Sequence, residues 1–199
     1  LYAFNTDIRD AFYTVHLNAK DAPVNGSIVP NSDLGFISLV CVFGNGCSGG
    51  AFKVVNIVAP LHRMGSSLIN GVEVQFDCQF YVDDGNCIEP HIGDRLYRCE
   101  SNLRDRIYDV FGPNGINEAK TETWASYFRS LGFYWDLRSG TVSLPADKME
   151  RAREKLSWLL TQESVSQTQL LSVVGLLRHL VTCCPSANGL VQFLGGGIS

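Results

Sequence analysis

At 199 residues the chain has room for one domain and a small second one, and its 45% hydrophobic and 18% charged residues exclude disordered, fibrous and low-complexity classes. A formal charge of −4 excludes a surface that grips nucleic acid everywhere, because phosphate binding rests on Lys and Arg, so any such contact is local. No run reaches the roughly 18 apolar residues of a spanning helix, and no basic-then-apolar leader opens the chain, so the expectation is an intracellular protein with no membrane partner.

Leu1 to Ile8 reads as a half-buried strand with no polar lead, the opening expected of a piece of a longer chain. Gly26–Pro30 and Gly35–Val42 are β-rich runs about a loop signal, Asn31-Ser32-Asp33, and predict a hairpin. A glycine-rich segment from Gly44 to Gly50 feeds Ala51–Met64, where Phe52, Val55, Val58 and Leu61 predict a buried helix interrupted near Pro60. Val72, Val74 and Phe76 alternate with polar neighbours, and Phe80-Tyr81-Val82 runs into Asp83-Asp84-Gly85-Asn86 before Cys87-Ile88 resumes: a strand, a tight acidic turn and a returning strand.

From Gly93 to Phe111, Leu96, Leu103, Ile107 and Val110 share a helical face that Gly112-Pro113 ends. Tyr127–Trp135 and Thr141–Leu144 flank Arg138-Ser139-Gly140 as a further hairpin. Pro145 opens a charged amphipathic helix to about Leu160 and marks the expected domain edge, with residues 1–145 on one side and 146–199 on the other. Ser166-Gln167-Thr168-Gln169 caps an apolar helix that ends before Pro185. Strands and helices without regular alternation predict an α+β fold.

The seven cysteines are scattered and contain no C-x-x-C pair, so neither a disulfide framework nor a zinc site is expected, and most read as reduced core residues. His16, His62, His91 and His179 stand apart in sequence and are assigned no catalytic role.

Adjacent carboxylates at a tight turn raise each other's pKa unless a cation lies between them, so Asp83-Asp84 suggests a divalent metal. A second acidic segment, Asp7-Ile8-Arg9-Asp10, ends a strand that would bring Asp7 opposite Asp83, and three clustered carboxylates suit Mg²⁺ or Mn²⁺. At this point the sequence resembles a known family. Phe80-Tyr81-Val82-Asp83-Asp84 is similar to the Y-x-D-D signature of reverse transcriptases, and Thr6 to Tyr13 resembles their first palm motif. Phe43-Gly44 with Phe52, Gly115-Ile116-Asn117 to Lys120, and Leu131-Gly132 resemble later motifs in the same order, over residues 1 to 180. Ser48-Gly49 stands where the family has Ala-Pro, a departure at the substrate pocket. Val142 to Lys148 resembles the region after the hairpin in retrotransposon enzymes, and Tyr81-Val82 with Phe12 resembles the DNA-making branch.

The resemblance implies an RNA-directed DNA polymerase: a palm-like antiparallel sheet with packed helices, then a small helical thumb-like region. By that likeness Asp7 and Asp83 would bridge two ions about 3.5–4 Å apart, with Asp84 as a secondary ligand and the Ile8 carbonyl completing one shell. Phe12 would exclude a ribose 2′-hydroxyl or is a core aromatic, and Lys120 would approach the triphosphate or is a solvated surface lysine. Phe43 and Gly44 would line the nascent base pair, and Leu131-Gly132 would grip the primer. Arg151, Arg153 and Lys155 would touch template-primer phosphates, or belong to an ordinary solvated helix. The implied partners are an RNA or DNA template-primer duplex, deoxynucleoside triphosphates, and fingers, ribonuclease H or integrase-type domains of a parent chain. The alternative is a catalytically incomplete palm-fold remnant that binds or braces.

Overall fold

The computed structural model describes residues 1–43 and 48–196, which divide into two compact units, Leu1–Ala125 and Ser126–Ser199. The first begins with β1 (Tyr2–Asp7), followed by β2 (Gly26–Ile28) and β3 (Gly35–Ile37), an exposed hairpin as the loop signal predicts. A short helical turn, α1 (Ser48–Ala51), leads through a 3₁₀ segment at Phe52–Ile57 into α2 (Val58–Arg63). The helix expected over Ala51–Met64 is therefore broken, but not at Pro60. That residue lies in the first turn of α2, where its missing N–H has no helical partner to lose, and the break falls before it, in the 3₁₀ segment.

Next come the hairpin β4 (Ser66–Ile69) and β5 (Val72–Gln75), then β6 (Gln79–Tyr81), β7 (Asp84–Glu89), the long α3 (Arg95–Phe111) and β8 (Glu122–Ala125). Strands β6, β7, β1 and β8 form an antiparallel sheet in that order. One face of α3 presents Cys99, Leu103 and Ile107, each fully buried, to a core that includes Phe4 of β1, Ile8 just after it, Cys87 of β7, and Phe52, Val55 and Val58. The helical spacing read from the sequence is thus the spacing that faces this core.

A buried ion pair ties α3 to the sheet. Arg95 Nε donates to Glu89 Oε2 at 2.6 Å, while its other nitrogens reach Ser67 Oγ and the carbonyls of Val74 and Gln75, each at 3.0 Å. The guanidinium also lies over the Phe76 ring, 5.0 Å from its centroid. One side chain thereby holds the β4–β5 hairpin, β7 and the start of α3 together.

In the second unit β9 (Tyr127–Ser130), β10 (Phe133–Asp136) and β11 (Thr141–Ser143) form an antiparallel meander, followed by α4 (Ala146–Leu160), α5 (Gln167–Leu180) and α6 (Asn188–Gly196). The domain edge expected near Pro145 lies inside this unit. Lys148 Nζ on α4 donates to the Gly132 carbonyl at 3.1 Å and lies 2.8 Å from His179 Nε2 on α5, and the His179 ring stacks on Phe133, so sheet and helices share one body. Ser166 caps α5 with the reciprocal Gln169 bonds of a capping box.

Candidate active site

The acidic site is built by strand register. β1 and β7 run antiparallel with Asp7 paired to Asp84, which puts the two side chains on one face of the sheet. Asp83 occupies the two-residue turn between β6 and β7, and its carbonyl accepts a bond from the Ile8 N–H at 3.0 Å. Val82, the other turn residue, has φ of 58°, a left-handed conformation that a β-branched side chain adopts at a cost of roughly 1–3 kcal/mol. Gly85 follows because a Cβ there would lie 2.5 Å from the Phe80 ring, which covers it across the ladder.

Asp7 is nearly buried, and both its oxygens are engaged. Asn117 Nδ2 donates to Oδ1 at 3.0 Å and Lys120 Nζ to Oδ2 at 2.9 Å. The same segment is pinned through its backbone, with Asn117 N–H on the Asp7 carbonyl at 2.9 Å and Arg9 N–H on the Gly115 carbonyl at 2.9 Å. Asn117 is the site residue that the sequence reading passed over, although it stands in the motif that supplied Lys120.

Charge at the site is unbalanced. Desolvation chiefly, then the charges of Asp83 and Asp7, push the Asp84 carboxyl above its ordinary value, while Lys120 opposes them. Lys120 is held above its usual value by its hydrogen bond to Asp7 and by the charges of Asp7, Asp83 and Asp84. A carboxyl raised in the folded state binds protons more tightly there than when unfolded, so its cost to stability is full above the folded pKa and vanishes below the unfolded value of 3.8. Asp84→Asn is therefore expected to stabilise the protein at pH 7, by less than about 1 kcal/mol because the carboxyl faces water, and to lose that advantage below about pH 4. Thermal melts at the two pH values check this.

The donor set is oxygen only, the chemistry that holds a hard divalent cation, and Lys120 already places a positive charge at Asp7. The ligand oxygens of Asp7, Asp83 and Asp84 do not all close to within 4.8 Å of one another. A cation among them would offset the repulsion between their charges.

Other expected site residues fall in different surroundings. Buried Ile8 bridges to Ile116 directly after β1. Phe12 is half-buried, edge-on to Phe43 at 4.8 Å and to Phe52 at 5.6 Å, so it belongs to an aromatic wall packed against the core. Phe43 is exposed, and Gly44 lies outside the described residues. In the second unit, Leu131 and Gly132 form the β9–β10 turn, both with positive φ, of 51° and 79°. On α4, Arg153 pairs at 3.6 Å with Glu150, Lys155 donates to Ser172 Oγ at 2.6 Å, and Arg151 is exposed.

Solved structures share this architecture. A foamy viral protease-reverse transcriptase in complex with RNA/DNA hybrid superposes with a TM-score of 0.60 at 14% identity, covering 88% of this chain and 20% of that one. The fold is reverse-transcriptase-like. A second foamy viral protease-reverse transcriptase structure, in complex with double-stranded DNA, gives 0.63 at 12% identity, covering 89% and 27%, and a third, also with double-stranded DNA, gives 0.59 at 13%, covering 89% and 32%. The chain thus spans at most a third of these neighbours. No protein-family model and no curated protein matches it. The α+β class expected from the sequence holds, with the palm-like antiparallel sheet in the first unit and the helical region in the second. Among the described residues, no helix is long and apolar enough to cross a membrane.

Proposed function

We propose that this chain carries the catalytic carboxylates of a retroelement RNA-directed DNA polymerase, a retrotransposon enzyme acting inside the cell. The observation that carries the reading is the pairing of Asp7 with Asp84 beside the strained Val82-Asp83 turn, with Asn117 and Lys120 on the Asp7 carboxylate. Asp7 and Asp83, helped by Asp84 and the Ile8 carbonyl, would hold two Mg²⁺ or Mn²⁺ ions, which when bound supply Lewis-acid activation of the primer 3′-hydroxyl and charge neutralisation at the transferred phosphate.

The protein's own groups do the rest. Asn117 fixes one Asp7 oxygen, so the carboxylate is oriented before any cation arrives. Lys120 donates to the other oxygen, and on release it can carry a proton to the leaving pyrophosphate. Phe12, braced by Phe43 and Phe52, forms a wall that a ribose 2′-hydroxyl would meet. Leu131-Gly132 would bear on the primer strand, and Arg151, Arg153 and Lys155 on duplex phosphates. The template-primer partner is supported by the neighbours, whose structures hold RNA/DNA hybrid or double-stranded DNA.

A second reading, a palm-fold remnant that binds without turnover, is favoured by the Lys120 ammonium seated on Asp7 and by the net charge of −4. Primer extension on an RNA template with deoxynucleotides and Mg²⁺ or Mn²⁺ separates the two, using this chain alone and supplied with a fingers region at its N-terminus. Extension by the longer form supports the polymerase. Inactivity of both, with folding verified, leaves the remnant.

A further inference from the structure

The first unit also gathers two thiols and an imidazole from three places in the chain, with a third thiol beside them. His62 on α2, Cys87 on β7 and Cys99 on α3 are fully or almost fully buried, and their ligand atoms all lie within 4.8 Å of one another. His62 Nε2 is 3.6 Å from Cys99 Sγ and 3.8 Å from Cys87 Sγ. Buried Cys78, the residue before β6, also neighbours the Cys87 thiol and helps push it up, but its sulfur does not close to within 4.8 Å of all three of those ligand atoms. The expectation of an isolated His62 is thereby corrected. Ligands at 62, 78, 87 and 99 leave no short spacing motif, because the fold rather than a loop collects them.

We infer that His62, Cys78, Cys87 and Cys99 form a closed tetrahedral site for a structural Zn²⁺. Zinc–sulfur and zinc–nitrogen bonds of about 2.3 and 2.0–2.1 Å at the tetrahedral angle put sulfur and nitrogen about 3.6 Å apart, and the two sulfur–nitrogen distances already lie close to that edge. His62 Nδ1 and Asn102 Oδ1 are both buried without a partner of hydrogen-bond geometry. A metal on Nε2 leaves the proton on Nδ1 and turns it into a donor for Asn102, whose amide bears on the ring. Glu89 Oε1 lies 3.9 Å from Cys99 Sγ, but that carboxylate is committed to Arg95, which leaves the Cys78 thiol, drawn in from just outside the cluster, as the fourth ligand.

Binding releases the three thiol protons to solvent, with no change of oxidation state. Because all four ligands are buried, the ion enters as the chain folds and becomes part of its stability. It would brace β7 three residues beyond Asp84 and join that strand to α2 and α3. This inference is independent of the polymerase reading, since its readouts are metal content and folding.

The test is elemental analysis of the purified chain after expression with zinc, followed by refolding with Zn²⁺, with Co²⁺ or with chelator. About one zinc per chain is expected, together with the thiolate charge-transfer and tetrahedral ligand-field bands of the Co²⁺ form, and a melting temperature lower by about 10 °C or more when refolding takes place in chelator. Cys87→Ser and Cys99→Ser should lose the metal and Cys78→Ser should bind it at least about tenfold more weakly, while Cys41→Ser, a buried thiol outside the cluster, keeps it. Wild-type chain that folds equally well in chelator and shows neither bound zinc nor a thiolate–Co²⁺ spectrum would overturn the site, whatever the variants do.

Discussion

Asp83→Asn is expected to lower deoxynucleotide incorporation at least about 10³-fold in a form that extends primers, because losing a metal ligand removes several kcal/mol of charge stabilisation from the transition state. The fold should survive, since the Asp83 group that holds β1 is its backbone carbonyl, bonded to the Ile8 N–H, and the substitution leaves it in place. Removing one charge also relieves Asp84, whose carboxyl Asp83 pushes up, so the melting temperature should stay level or rise. Asp7→Asn should abolish incorporation too but forfeits the ion pair with Lys120. Asp83 therefore separates chemistry from stability more cleanly. Steady-state incorporation beside a thermal melt is the measurement, and wild-type incorporation by the asparagine variant would remove Asp83 from the catalytic set.

Arg95→Ala should cost about 3–5 kcal/mol, because it strands the buried Glu89 carboxylate. It also leaves Ser67 Oγ and the carbonyls of Val74 and Gln75 without the donor they share. In calorimetry the transition of the first unit should drop by about 10 °C or more, while that of the second changes little. The double substitution Glu89→Leu with Arg95→Met should recover part of the loss, since it removes the orphaned charge. Recovery stays incomplete because the two carbonyls still lack a partner. A single variant as stable as wild type would show that solvent reaches Glu89.

The acidic turn could be read in the sequence because turn chemistry is local. Tyr81-Val82-Asp83-Asp84-Gly85 carries its own chain reversal, with a glycine where the Phe80 ring leaves no space for a Cβ. Helix α3 was legible for a similar reason, since apolar residues recurring at helical spacing need only one partner face. The capping box at Ser166 and Gln169 is a signal four residues long. Pro60 misled because proline is neutral in the first turn of a helix, and the sequence did not say which turn it occupied.

By itself the sequence determined the α+β class, the acidic turn, the strand that ends in Asp7 and the main helices, all of which follow from periodicity and turn residues within about twenty positions. Only the tertiary structure decided that Asp7 pairs with Asp84, that Asn117 joins Lys120 on that carboxylate, that Glu89 and Arg95 are a buried pair, and that His62 meets Cys87 and Cys99. Register, burial and thiol clustering depend on which elements lie side by side, and residues more than a hundred positions apart, such as Asp7 and Asn117, leave no local pattern by which to recognise each other.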